Sequence, residues 1–262
     1  MKDQNVIWKT EIGKGPLVAA AIHDGHKIRE ELMGIMALNE AIRLREEDPF
    51  TSLWTIVGST KITGLNSRFE VDLNRPREKA VYINPEDSWG LKVWKEKPSN
   101  KIISNSLKRY DAFYKEVKSI FSDLEKQFGH FVVFDMHSYN HRRDGVKGDI
   151  ADPKLNPEVN IGTGTVNRKI WEQLLNRFIE DLRSYNYQGR SLDVRENIKF
   201  KGGHFSKWIH ETFPKSACSI AIEFKKFFMD EWTGKPDKNH LKEIEMALKS
   251  TVPGVLEELR KI

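Results

Sequence analysis

The chain has 262 residues, 39% hydrophobic and 31% charged, enough to bury one substantial core and too short for more than two small ones. No apolar run approaches the ~20 residues of a membrane span, and a lone cysteine, Cys218, excludes an internal disulfide framework. The net charge is +5, yet basic residues are mixed with acids and run no longer than pairs such as Arg142-Arg143, which argues against a nucleic-acid partner.

The start, Met1 to Asn5, is polar and no apolar stretch follows it, so no secretory leader is expected. With one cysteine, set in the apolar run Ala217 to Ile222, the expected setting is a reducing cytoplasm. No repeat, low-complexity tract or long linker divides the chain, and residues 1–262 read as one domain. Nothing in the sequence marks an oligomeric state.

Leu17 to Ile22 is the first buried-strand candidate, and it runs into His23-Asp24-Gly25-His26. A helix is predicted over Lys27 to Arg45 from an apolar stripe through Ile28, Leu32, Ile35, Met36, Leu38 and Ile42. Glu46-Glu47-Asp48-Pro49 ends it, because the residue before proline disfavours the α region. Leu53 to Val57 reads as a strand, and the partial alternation of Ser67 to Pro76 suggests another. Tyr82 to Pro98, rich in turn formers, reads as an irregular excursion that covers a site. Leu107 to Phe128 is a long amphipathic helix stopped by Gly129.

Phe131 to Met136 is apolar without alternation, as in a strand buried on both faces, and it leads into His137-Ser138-Tyr139. A polar loop, Asn140 to Asp152, follows; it lacks EF-hand spacing and reads as solvated or substrate-covering. Then come a short strand at Val159 to Gly162, a helix over Val166 to Ser184 and a strand over Val194 to Phe200. A glycine turn, Gly202 to Phe205, enters a short helix, Ser206 to Glu211. Ala217 to Phe224 is the third strongly buried strand, and Lys238 to Leu259 a closing helix interrupted near Pro253. Strands alternating with long helices predict a three-layer α/β/α domain whose sheet is mixed and mostly parallel.

The three buried strands carry the chemistry at their ends. They bring His23 and His26, Asp135 and His137, and Glu223. Ligands of open α/β sheets bind at such strand ends. Two or three imidazoles with an open position suit a catalytic Zn²⁺. A glutamate in an apolar strand is costly to bury, which makes Glu223 a candidate general base of raised pKa. Asp135 is placed to orient a histidine. Arg68, Asn74 and Arg75 form a carboxylate-binding cluster, unless they are surface partners of Glu70 or Asp72. Lys201-Gly202-Gly203-His204 offers backbone amides and an imidazole to an oxyanion, unless it is an ordinary helix-entry turn.

Ile22-His23-Asp24-Gly25, Ser67-Arg68-Phe69 with Asp72-Leu73-Asn74-Arg75, Phe134 to Tyr139, and Lys201-Gly202-Gly203 occur in this order from about residue 17 to 232. In order and spacing the set resembles the N-formylglutamate amidohydrolase family. The resemblance implies a phosphorylase/hydrolase-like α/β fold shared with zinc carboxypeptidases, and one Zn²⁺. It implies His23 and His137 as ligands, Glu223 as base, and Arg68, Asn74 and Arg75 as the carboxylate site. The chain has Ile-His-Asp-Gly where the family usually has Pro-His-Ser-Gly, and His26 stands where the carboxypeptidases carry a ligand glutamate. The third ligand is then His26, the expected one, or an acid from Glu46, Glu47 and Asp48.

The expected activity is hydrolysis of a small anionic amide, an N-acyl amino acid of the N-formylglutamate kind. The alternatives are a metallopeptidase of carboxypeptidase type and a non-enzymatic basic protein that binds anions or nucleic acid.

Overall fold

The computed structural model describes residues 6–262; the polar start, Met1 to Asn5, lies outside them. One sheet contains β1 (Trp8–Glu11), β2 (Leu17–Ala21), β3 (Thr60–Gly64), β4 (Phe131–Tyr139), β5 (Val159–Gly162), β6 (Val194–Glu196) and β7 (Ala217–Lys225). Its strand order is β1-β3-β2-β4-β7-β5-β6. The pairs β2–β3, β2–β4, β4–β7 and β5–β6 are parallel. The pairs β1–β3 and β5–β7 are antiparallel. The helices are α1 (Glu30–Met33), α2 (Glu40–Glu46), α3 (Asn100–Phe128), α4 (Arg168–Ser184), α5 (His204–Thr212) and α6 (Lys238–Leu259).

Successive strand residues point to opposite faces, and the core divides accordingly. Leu17, Val132, Phe134, Ile220 and Ile222 pack against α4 and α6. Val18, Ala20, Phe131 and Val133 pack on the other side, against α3 and α5. The architecture is therefore three-layered α/β/α with a mixed, mostly parallel sheet. All nine residues of β4 are buried, as its uninterrupted apolar start predicts.

The same alternation assigns the polar residues. Asp135 and His137 share the face of Phe131 and Val133, and Glu223 shares the face of Ala217 and Ser219. The β4–β7 register sets His137 directly beside Glu223.

Five local expectations are corrected. The helix expected over Lys27 to Arg45 breaks into α1 and α2. Gly34 follows α1, and the chain beyond it leaves the helix to pair Met36 with Trp94. Asn39 then caps α2, its side chain accepting the Ile42 N–H at 2.9 Å. Leu53 to Val57 is a 3-10 helix, Thr51–Val57, in which the hydroxyls of Thr51 and Thr55 bond back to carbonyls three residues earlier. Ser67 to Pro76 forms a chain of turns rather than a strand, because Ser67, Glu70 and Asp72 turn inward with Phe69, Val71 and Leu73. The strand expected over Val194 to Phe200 stops at Glu196, where Asn197 adopts a left-handed conformation. The closing helix α6 is not interrupted near Pro253 as expected and continues through it. Among the described residues no helix is long and apolar enough to cross a membrane.

Phe134 is fully buried and packs on Phe178 of α4, with ring centroids 5.0 Å apart. Phe134→Ala is expected to lower the unfolding free energy by about 3–5 kcal/mol in denaturant titration. Ile12→Ala, at a residue 66% exposed, is expected to shift it by less than about 0.5 kcal/mol.

Candidate metal centre

Three strand ends and one turn build the centre. His23 lies two residues past β2, His137 is within β4, and Glu223 is within β7. Asp48 comes from the turn between α2 and the 3-10 helix, and its backbone N–H donates to the carbonyl of His23 at 2.9 Å. That bond fastens the turn to the end of β2. Asp48 Oδ2 lies 2.9 Å from His137 Nδ1 and 3.5 Å from His23 Nδ1. The two imidazoles meet edge-to-face with centroids 5.0 Å apart.

The far nitrogens are held from behind. His23 Nε2 is 2.7 Å from Asp72 Oδ1, and His137 Nε2 is 3.0 Å from Asp135 Oδ1. Asp135 in turn accepts from Ser206 Oγ at 2.8 Å. None of these five ionisable side chains is more than 3% exposed. Burial opposes ionisation of Asp48, but the hydrogen bonds and charges of His137 and His23 outweigh it and hold the carboxyl well below its ordinary range. Burial likewise opposes a charge on His137, and Asp135 and Asp48 overcome it to raise the imidazole's pKa.

This donor set fits a divalent metal ion. His23, Asp48 and His137 each offer one ligand atom, all within 4.8 Å of one another. Separations of 2.9 and 3.5 Å bracket the ~3.3 Å edge of a tetrahedron with bonds near 2.0–2.1 Å. Each imidazole is backed by a carboxylate, the usual support of a metal-bound histidine. Buried Asp48, Asp72 and Asp135 also outnumber the low-exposure cations Arg68 and Lys226, so added positive charge would balance the pocket.

The expectation that His26 completes the set is corrected. Its Nδ1 lies 2.5 Å from Glu47 Oε2, and its Nε2 is 3.4 Å from Glu40. Glu47 is fully buried and also accepts from Ser67. Ile22 and His23 form a turn at the end of β2, and the irregular chain after it carries His26 out of the centre. Asp48, one of the three acids left open, stands there instead. Glu46 lies nearby in the cavity wall, paired with Arg45 at 2.8 Å.

The centre opens into a cavity of about 1100 Å³. Arg68 is no surface residue. It donates to Asp72 Oδ2 at 2.7 Å and to the Tyr82 hydroxyl at 3.3 Å, and its guanidinium lies 4.8 Å from the centroid of the Trp89 ring. Arg75, 37% exposed and 4.0 Å from Asp72, is the more available cation of that wall. Asn74 is largely structural: its Oδ1 accepts the Phe205 N–H at 2.9 Å, and its Nδ2 lies 3.3 Å from His137 Nε2. A Cβ on Gly203 would meet that amide at 2.3 Å, and Gly202 has φ +103°, so both positions of this turn need glycine. Gly202, Gly203 and His204 all line the cavity, and burial lowers the pKa of His204.

Asp72 was underrated by sequence reasoning, which offered it only as a surface partner of Arg68. Its signal was its place in Asp72-Leu73-Asn74-Arg75, ahead of the residues that line the cavity. Tyr82 and Lys226, both buried at this site, carry no sequence signal.

Glu223 faces the cavity. Burial raises its carboxyl, the His137 charge opposes, Asp48 and Asp135 push further up, and the result is about 7. It is the one carboxyl of the group displaced into the range useful to a neutral-pH base.

The fold and this centre define an α/β/α protein with a buried cluster suited to a metal ion, and the comparisons supply the family. The N-formylglutamate amidohydrolase family profile matches residues 15–229. The chain belongs to that family. Its fold is similar to the crystal structure of N-formylglutamate amidohydrolase from Ralstonia eutropha JMP134, with TM-score 0.76 and 17% identity over 97% of this chain and 98% of that one. It is also similar to a gene product of Agrobacterium tumefaciens, with TM-score 0.67 and 16% identity over 97% and 96% of the two chains. No curated protein matches the sequence.

The raised carboxyl of Glu223 has a cost in stability. The unfolded chain releases this proton near the ordinary glutamate value of 4.5, the folded chain only near 7. Folding is therefore unopposed by this group below about pH 4.5 and loses stability as pH rises to about 7. The full effect is at most about 3 kcal/mol, less where cavity water screens it. In metal-free protein, Glu223→Gln is expected to raise the melting temperature at pH 8 and leave it nearly unchanged at pH 4.5. Equal shifts at both pH values would show that the carboxyl is not displaced.

Proposed function

We propose that this protein is a zinc-dependent hydrolase that cleaves the amide bond of a small N-acyl amino acid of the N-formylglutamate kind. The observation that carries the reading is the convergence of His23 Nδ1, His137 Nδ1 and Asp48 Oδ2, with Glu223 in register beside His137. His23, Asp48 and His137 are the residues that would hold the ion. When bound, Zn²⁺ supplies polarisation of the scissile carbonyl and a water of lowered pKa.

Glu223 takes the proton of the attacking water and delivers it to the leaving amine. Its raised pKa suits both halves of that transfer. Arg75, with Arg68 behind it, receives the substrate carboxylate through a guanidinium fork and sets the distance from that carboxylate to the scissile bond. The Gly202-Gly203 turn, with His204, lies in the cavity wall and serves the developing oxyanion. Burial keeps His204 neutral, so it acts as a hydrogen-bonding group rather than a fixed charge.

Chelation is expected to abolish hydrolysis of N-formylglutamate, and added Zn²⁺ to restore it. Glu223→Gln is expected to lower kcat by about 10²–10⁴ while bound zinc is retained. Full activity in metal-free protein, or in the Gln variant, would overturn the reading. For the ligand set, equilibrium dialysis with Zn²⁺ separates the two candidates: His26→Gln is expected to bind one ion as the parent does, and Asp48→Asn to lose it.

A further inference from the structure

Lys226 is 1% exposed, a rare burial for lysine. Its ammonium donates to two backbone carbonyls, those of Arg45 at 2.5 Å and Glu47 at 2.7 Å. These belong to the last residues of α2 and its cap, where four carbonyls lack helical partners. The next residue is Asp48.

This helix end is itself buried at Glu46, Glu47 and Asp48, so its carbonyls need a partner from within the protein, and Lys226 supplies it. Burial pulls the Lys226 pKa down to about 8 against the attraction of Asp48, Glu46 and Glu231. The lysine also sits at a particular place in the chain. It follows β7 by one residue, three beyond Glu223, and its own N–H donates to the carbonyl of Tyr139 at the end of β4. It therefore ties the ends of the two strands that carry His137 and Glu223 to the turn that carries Asp48.

Asp48 is the one member of the centre that lies neither in a strand nor just past a strand end. Its backbone N–H is fixed to His23, and its Oδ1 accepts from Ser138 Oγ at 3.3 Å. Those bonds orient Asp48 itself and leave the preceding carbonyls, which turn the chain inward, to Lys226.

We propose that Lys226 is a positioning residue for metal binding: it holds the Arg45–Glu47 backbone so that Asp48 meets His23 and His137. The inference rests on the metal reading of the site. Lys226 acts on affinity for the ion through Asp48, and does not touch the substrate.

The experiment is zinc affinity of the purified full chain, measured by competition with a chromophoric chelator, with melting of the metal-free protein in parallel. Lys226→Met is expected to weaken zinc binding about 10- to 100-fold, the usual effect of losing a group that orients a ligand. Lys226→Arg, which keeps a cation with several donors, is expected to recover most of that loss. Lys226→Gln keeps one donor and is expected to fall between; it carries the test should the Met variant not fold. Parent-like zinc affinity in Lys226→Met or Lys226→Gln, even with a lowered melting temperature, overturns the proposal, because the lysine is then only structural. So does a rise in KM with zinc affinity unchanged, which marks a substrate contact. Failure of the parent protein itself to bind zinc strikes the proposed function instead.

Discussion

The interaction on which the site depends is the sharing of one buried carboxylate oxygen, Asp48 Oδ2, between two imidazoles. An isolated carboxylate at 3% exposure is very costly to keep ionised. Here it is kept ionised by the two histidines, and the histidines are kept in place by two further buried acids. Asp72 collects His23, Arg68, the Tyr82 hydroxyl and the Asn74 N–H. Asp135 backs His137 and is held by Ser206. Each member compensates a neighbour, so removing one leaves an uncompensated charge in a low-dielectric pocket. Such a network is costly to form and rigid once formed, which suits a ligand set that must not rearrange.

The rigidity comes from two sources. Strand pairing fixes His137 and Glu223, because a slip of one residue would turn both to the other face. The turns that carry Asp48 and Asp72 have no such lattice and are fastened singly. Asp48 is fastened to the end of β2. The Asp72 segment is fastened by its own N–H to Ala80 at 2.7 Å and by two tyrosines of α3. Tyr114 donates to the carbonyl of Leu73 at 2.7 Å and Tyr110 to that of Arg75 at 2.9 Å. The long helix thus packs the sheet and also holds the basic wall of the cavity at a set height above it.

What the sequence disclosed follows from this division. Buried strands announce themselves by composition, so Leu17 to Ala21, Phe131 to Tyr139 and Ala217 to Lys225 were legible together with the polar groups at their ends. The long helices were legible from periodicity. The turns were not. Leu53 to Val57 is apolar enough for a strand and becomes a 3-10 helix through two threonine hydroxyls that no pattern reveals. Ser67 to Pro76 alternates like a strand, but its acids face inward because charges brought from far away in sequence await them. Asp72 is paired with His23 across 49 residues, and Asp48 with His137 across 89. A window of local sequence holds no trace of either pairing.

The same reasoning explains why His26 lies outside the cluster of His23 and His137 and why Asp48 was hard to choose for it. Spacing rules for metal ligands work when the spacer has a known conformation, as on a helix where residues four apart share a face. Between His23 and His26 the chain is neither helix nor strand, so their separation of three says nothing about direction. Among Glu46, Glu47 and Asp48 the decision is made by backbone geometry at the end of α2. The side chains there diverge to Arg45, to His26 with Ser67, and to the two imidazoles. Three adjacent acids thereby reach three different environments, and only the last meets both histidines. The place of Asp48 in this cluster is a property of where that backbone is held rather than of the residue's chemistry, which its neighbours share.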